Sequence, residues 1–176
     1  GNSGFDVRWD LAFVNLNMAK RFIDIDRNKA KVILEKSLVL FQELDEMWGI
    51  ANCLCLLGHR AWGVGDYPTA FRLLSRALLI TEETGNRIQK IEALHTIFWL
   101  HTHQGRLAKA EVVALEAIEI SREMNILTGQ GLSHFPFILS WQGKYNEGIE
   151  FGRKTLASCG EDASSNLLGY VHLGIG

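Results

Sequence analysis

A six-residue phrase recurs along this chain at an almost constant interval, and this recurrence constrains the possible fold more than any other feature. It reads Gly-Asp-Tyr-Pro-Thr-Ala from Gly65, Gly-Arg-Leu-Ala-Lys-Ala from Gly105 and Gly-Lys-Tyr-Asn-Glu-Gly from Gly143. The first two copies begin 40 residues apart and the next two 38 residues apart, and a degenerate copy begins 40 residues earlier at Ile25. Self-similarity at such a period is typical of stacked supersecondary units rather than of a single globular core. The sequence therefore predicts a solenoid that serves as a binding scaffold, and it does not identify the ligand.

Each repeat has the pattern of two antiparallel helices. Apolar residues recur at helical spacing from Met47 to Gly63, and the glycines Gly63 and Gly65 then allow the chain to turn. Asp66 can accept hydrogen bonds from the amides of the next helix, and Pro68 is harmless in its first turn. The buried stripe of this second helix is predicted to be Ala70, Leu73, Leu74, Ala77, Leu78 and Thr81. No alternation of period two, which would indicate a strand, competes with this pattern.

The sequence predicts an all-α protein, a right-handed α-solenoid of antiparallel helix pairs with about four repeats. The predicted helices span residues 6–23, 28–44, 47–63, 66–84, 87–104, 107–124, 131–142, 145–158 and 162 to the end. Residues 1–5 are interpreted as a linker or tag remnant, and residues 6–176 as the superhelical domain. Since the last helix has no partner helix, we expect a fragment of a longer protein, truncated at the C-terminus, in which this unpaired helix permits self-association.

The third repeat is expected to be the least regular. Gly129 and Gly131 weaken its first helix, and Pro136 removes a hydrogen bond inside it. We expect that helix to begin late, near Gly131, and to bend at Pro136.

Composition limits the class of protein. The chain has 176 residues, of which 47% are apolar, and a net charge of −2, which argues against a disordered protein and against a nucleic-acid partner. Its apolar stretches are shorter than the roughly 20 residues of a membrane helix, and no signal peptide is visible. The three cysteines are an odd number, and Cys53 and Cys55 diverge on one predicted helix. We therefore expect a reduced, cytoplasmic protein without a membrane partner.

The repeat columns resemble those of the tetratricopeptide repeat family. The residues that carry the resemblance are Leu57-Gly58, Gly65-Asp66-Tyr67, Ala70, Leu74 and Ala77-Leu78, and it extends over nearly the whole chain from about Asp6. The long helices are similar to repeat arrays in large bacterial signalling proteins, namely regulatory ATPases, transcriptional activators, cyclases and kinases. The chain departs from the pattern where Phe98 and Pro136 replace Gly58, and where Gly152 replaces Leu74.

The resemblance implies that the first helix of each pair lines an inner groove. Side chains on that face are then candidates for binding a partner: Asn52, His59, Trp62, Glu92, His95, Trp99, Thr102, His103, Phe137 and Trp141. The centre of the surface is predicted at Trp62, Glu92, His95, Trp99 and His103. Rigid aromatic rings mixed with polar groups suit peptide recognition. The alternative interpretation is that Trp62, Trp99 and Trp141 fill space between repeats.

Metal binding, cofactor binding and catalysis are not indicated. Cys55 and His59 are four residues apart, but a zinc site needs four donors in close pairs, and His101 and His103 diverge on a helix. The adjacent Ser133 and His134 lack the glycine and the strand of a nucleophile elbow, and no Gly-Lys-Ser/Thr follows the nearby glycines to form a phosphate loop. We therefore expect neither an enzyme, a metal site nor a cofactor.

Two functions remain open. The first is a protein-interaction scaffold that binds a peptide or protein in its groove. The second is a regulatory domain of a multidomain ATPase, kinase or cyclase that senses a small effector. The two differ in the shape of the site, because a small molecule needs an enclosed pocket and a peptide needs an open channel.

Overall fold

The computed structural model describes residues 7–23, 25–124 and 129–159, and for residues 129–134, 155, 156, 158 and 159 it describes the backbone only. Within these residues the protein has eight helices and no strand, so the all-α prediction is confirmed and agrees with an α-solenoid. The helices are α1 (Arg8–Phe22), α2 (Arg27–Glu43), α3 (Met47–Gly63), α4 (Tyr67–Thr84), α5 (Arg87–His103), α6 (Leu107–Glu123), α7 (Gly129–Trp141) and α8 (Tyr145–Cys159). The ninth predicted helix, from residue 162, lies outside the described residues.

The turn phrases behave as the sequence predicts. Gly65, Gly105 and Gly143 have φ values of 80°, 68° and 77°, a left-handed conformation that glycine adopts without strain. Asp66 caps α4 by accepting a hydrogen bond from the amide of Thr69 at 3.2 Å. Each phrase therefore ends one helix and starts the next within a few residues.

Two compact units divide the chain, Gly1–Thr96 (unit 1) and Ile97–Gly176 (unit 2). In unit 1, α1 packs on α2, α2 on α3 and α3 on α4, and α1 also reaches α3. In unit 2, α6 packs on α7 and α7 on α8. From α1 to α4 in unit 1 and from α6 to α8 in unit 2, helices that follow one another along the chain are thus neighbours in space, as in helical repeats.

The buried stripe of α4 follows the prediction with two corrections. Ala70, Leu74, Ala77 and Thr81 are buried, whereas Leu73 and Leu78, which we expected to be buried, are only half-buried. Around the helix axis, Leu73 and Leu78 lie at the two edges of the stripe, and the four buried residues form its centre.

In one pair of opposing repeat columns, the small and the large residue change places between the two units. In unit 1, a methyl group added at Gly58 would lie 2.7 Å from Cγ of the fully buried Leu74. Forty residues further on, Phe98 and Ala114 belong to one buried cluster of unit 2. The departure of Phe98 from the repeat pattern is therefore accompanied by a smaller residue in the opposing column, which offsets part of the added volume.

Helix α7 begins at Gly129 rather than near Gly131, and it remains helical through Pro136. With 13 residues it is the shortest of the eight described helices. The expected irregularity of the third repeat thus takes the form of a short helix that carries an internal proline.

Candidate functional site

The N-terminal half of α3 is buried along nearly its whole surface. Gly49 to Cys55 are all buried, and a side chain at Gly49 would collide with the ring of Phe41. Asn52, predicted to face the groove, is 4% exposed and donates its Nδ2 to the backbone carbonyl of Trp48 at 3.1 Å. Its amide therefore belongs to the packing of α3.

The C-terminal end of α3 is more open. His59 and Trp62 are half-buried, and their ring centroids lie 5.1 Å apart with an interplanar angle of 50°. Arg60 fixes this end of the helix on α2, since its Nε donates to the carbonyl of Arg27 at 3.0 Å and its Nη2 to Oδ1 of Asn28 at 3.1 Å. The structure thus brings the predicted residues His59 and Trp62 together on a firmly held helix end.

Helix α5 contributes the predicted acidic group of unit 1. Glu92 is exposed, and His95 is half-buried. Burial, followed by the charges of Glu92 and Cys53, raises the pKa of the Cys55 thiol to about 12, and Lys20 opposes this change. Opposite charges from α1 and α5 therefore act on the same buried position of α3.

Trp99 in unit 2 is mostly a packing residue. It is half-buried against the cluster of Phe98, Ala110, Ala114 and Ile138, and its ring meets that of Phe98 at 5.1 Å in an edge-on arrangement. This geometry fits the interpretation in which the tryptophan fills space, and it leaves only part of the ring for a partner.

The remaining predicted residues of unit 2 form two local groups. His103 is exposed, with Nδ1 2.9 Å from the carbonyl oxygen of Trp99, and Thr102 is half-buried and donates to the carbonyl of Phe98 at 2.9 Å. Phe137 is half-buried beside Trp141, whose exposed fraction is 48%. The predicted central surface, which combines Trp62, Glu92 and His95 with Trp99 and His103, draws on both units and stays a prediction.

A stack of three aromatic rings in unit 1, Trp9, Phe13 and Trp48, was not predicted from the sequence. Trp9 and Phe13 lie 5.1 Å apart with nearly parallel planes, and Phe13 lies 6.0 Å from Trp48. The signal was available, because two aromatic residues four positions apart share one face of a helix.

The structure offers neither a metal cluster nor a membrane span in the part of the chain that it describes. Across 7–23, 25–124 and 129–159, no three His, Cys, Asp or Glu residues are placed to hold a metal ion. None of the helices in these ranges combines the length and the apolar character needed to cross a membrane.

Comparison with known proteins identifies a fold and no family. No family model matches the chain, and no curated protein sequence matches it. Among solved structures, the chain is similar to aspartyl phosphate phosphatase F from Bacillus subtilis, with a TM-score of 0.86 and 16% sequence identity over 95% of this chain. The chain spans 45% of the length of that protein. At this identity the likeness shows the fold alone, which fits the tetratricopeptide-like prediction.

Proposed function

We propose that this chain is a protein-interaction scaffold, a tetratricopeptide-like array that binds a peptide or protein partner within a bacterial signalling or transcription-regulatory protein. Its first helices α3 and α5 supply the binding surface. The observation that carries the proposal is the contrast along α3, where the buried segment from Gly49 to Cys55 is followed by the accessible pair His59 and Trp62. An accessible tryptophan on a rigid helix end is the kind of residue that anchors a partner.

The fold supports a role in protein binding in general terms. The similar solved structure is a bacterial protein, and stacked helix pairs expose long surfaces to partners. That protein is named a phosphatase, but at 16% identity its activity is not transferred to this chain. The reduced buried thiols of Cys53 and Cys55 suit the cytoplasm, where we place the protein.

The scaffold proposal is tested with a displayed library of random peptides selected on the purified chain. We expect selected peptides to lose at least about tenfold in affinity, equivalent to about 1.4 kcal/mol, in Trp62→Ala and in Glu92→Gln. Leu79→Ala, on the exposed side of α4, is the matched control and should bind normally. The proposal is wrong if the selected peptides bind Trp62→Ala and Glu92→Gln as tightly as the original chain while all variants melt alike.

A further inference from the structure

The ring stack of Trp9, Phe13 and Trp48 presents an aromatic surface to solvent at the start of α1 and α3. The interplanar angle is 10° between Trp9 and Phe13 and 28° between Phe13 and Trp48, and Trp9 and Phe13 are 41% and 37% exposed. Phe13 lies between the two tryptophans, so the outer face of Trp9 ends the stack. Trp48 and Trp62 are 14 residues apart in α3, which is about 21 Å along the helix, so this surface is separate from the proposed site.

The ring stack is held in place by its surroundings. The ring of Trp48 meets the fully buried ring of Phe41 edge-on at 6.2 Å. The backbone carbonyl of Trp48 accepts hydrogen bonds from Asn52 at 3.1 Å and from Gln89 at 3.0 Å. Because these contacts already fix Trp48, a ligand that stacks on the assembly loses little of its affinity to ordering the protein.

Charges in unit 1 are segregated along the helices. The chain around the ring stack carries Asp10, Glu43, Asp45 and Glu46, with Arg8 paired to Glu43 at 3.8 Å. At the other end of the same helices, basic residues outnumber Asp26 and Asp66: they are Lys20, Arg21, Arg27, Lys29 and Arg60. A cationic ligand is therefore attracted to the ring stack and repelled from the opposite end.

We propose that the ring stack is a docking surface for an arginine-bearing segment of a partner protein, with the guanidinium group stacked on the outer face of Trp9. A guanidinium is planar and weakly hydrated, so it stacks on an aromatic face more readily than a lysine ammonium. The carboxylates of Asp10, Asp45 and Glu46 supply the complementary charge. This surface is additional to the one at Trp62, and the inference does not rest on that proposal.

The test uses a blocked pentapeptide with a central arginine between serine and glycine residues, and its twin with citrulline in place of arginine. Citrulline keeps the planar shape and removes the charge. Titration is followed by the indole signals of the five tryptophans in nuclear magnetic resonance spectra. We expect saturable shifts for Trp9 and Trp48, none for Trp141, and affinity at least about threefold higher for arginine than for citrulline. Raising the salt from about 20 mM to about 500 mM should weaken the arginine peptide more than its twin.

Variants show whether the binding depends on the ring of Trp9. Trp9→Leu should lower the affinity for the arginine peptide at least about threefold, whereas Trp9→Phe keeps a ring and retains binding. Trp62→Ala and Trp141→Leu should bind the peptide normally. The inference is overturned if the Trp9 signal does not move, if the citrulline twin binds equally well, or if Trp9→Leu binds normally. A peptide with a central leucine that binds more tightly would also overturn it, since the surface would then select apolar residues.

Discussion

A double substitution that gives unit 1 the residue pair found in unit 2 tests the repeat assignment more sharply than any single substitution. Gly58 opposes Leu74 in unit 1, and the residues in the same two columns of unit 2 are Phe98 and Ala114. We predict that Gly58→Phe together with Leu74→Ala is tolerated far better than either change alone. The double variant gives unit 1 the pair that unit 2 already uses.

The magnitudes come from the packing around Leu74. Leu74→Ala should cost about 2–5 kcal/mol in the free energy of unfolding, because the side chain is fully buried and its removal leaves a cavity. Gly58→Phe alone should cost about 3 kcal/mol or more, because the added Cβ already lies 2.7 Å from Leu74 Cγ. Added together, the single changes would cost at least about 5 kcal/mol. If the new ring fills the space of Leu74, the double variant should cost only about 2 kcal/mol.

The assay is urea unfolding followed by far-UV circular dichroism and by tryptophan fluorescence. Two probes are needed because the chain has two compact units, which can unfold separately. We expect a coupling energy of about 3 kcal/mol from the double-mutant cycle, against less than about 0.5 kcal/mol for residues that do not touch. Leu79→Ala, with Leu79 60% exposed, is the surface control.

A coupling energy near zero would refute the reasoning. It would mean that the ring introduced by Gly58→Phe points away from the space that Leu74 vacates, and that the two columns do not oppose each other in unit 1 as they do in unit 2. A double variant less stable than Gly58→Phe alone would lead to the same conclusion.

Three further predictions concern the thiols, one histidine and one helix end. In a Cys159→Ser variant, Cys53 and Cys55 should resist a chromogenic thiol reagent at about pH 8 until the chain is unfolded. The reason is that burial raises the pKa values of the two thiols to about 11 and about 12. Rapid labelling of the folded chain would contradict this. Burial, with help from two nearby basic side chains, lowers the pKa of His101, so the folded state takes up its proton less readily than the unfolded state. The folded state should therefore keep its full stability above pH 6.5, the ordinary pKa of histidine, and lose stability as the pH falls from there toward the lowered pKa of His101. Thermal melts of His101→Gln should show a weaker loss over the same pH range. Gly85 ends α4 with φ of 68° and open space around it, so Gly85→Ala should cost roughly 1–2 kcal/mol from the backbone alone, and an unchanged melting temperature would be the contrary result.

The periodic features of the fold were predictable from the sequence. The turn phrase located the left-handed glycines, the Asp66 cap and the start of α4, because these depend on local chemistry within a few residues. The stripe from Ala70 to Thr81 was predictable for the same reason, since helical spacing determines which side chains share a face. Leu73 and Leu78 were wrongly expected to be buried because they lie at the edges of that face, where the packing of neighbouring helices determines burial.

The candidate site was less predictable, because exposure depends on residues far away in the sequence. Asn52 lies on the predicted face of α3, yet it is buried because α3 is covered on nearly all sides at that level. The ring stack was missed for the same reason. Trp9 and Phe13 were assigned to an ordinary first helix, and their contact with Trp48 arises only when α1 and α3 meet in space.

His59 and Trp99 show why equivalent positions in a repeat do not imply equivalent roles. The column of His59 in unit 1 holds Trp99 in unit 2, 40 residues later. His59 contacts the half-buried ring of Trp62 at the open end of α3, whereas Trp99 packs beside Phe98, in the column where unit 1 has Gly58. A large side chain in the Gly58 column thus gives the tryptophan next to it a packing partner within its own unit. We therefore expect a partner to bind where a small residue occupies this repeat column and the adjoining aromatic rings remain accessible. In unit 1 that place is the C-terminal end of α3.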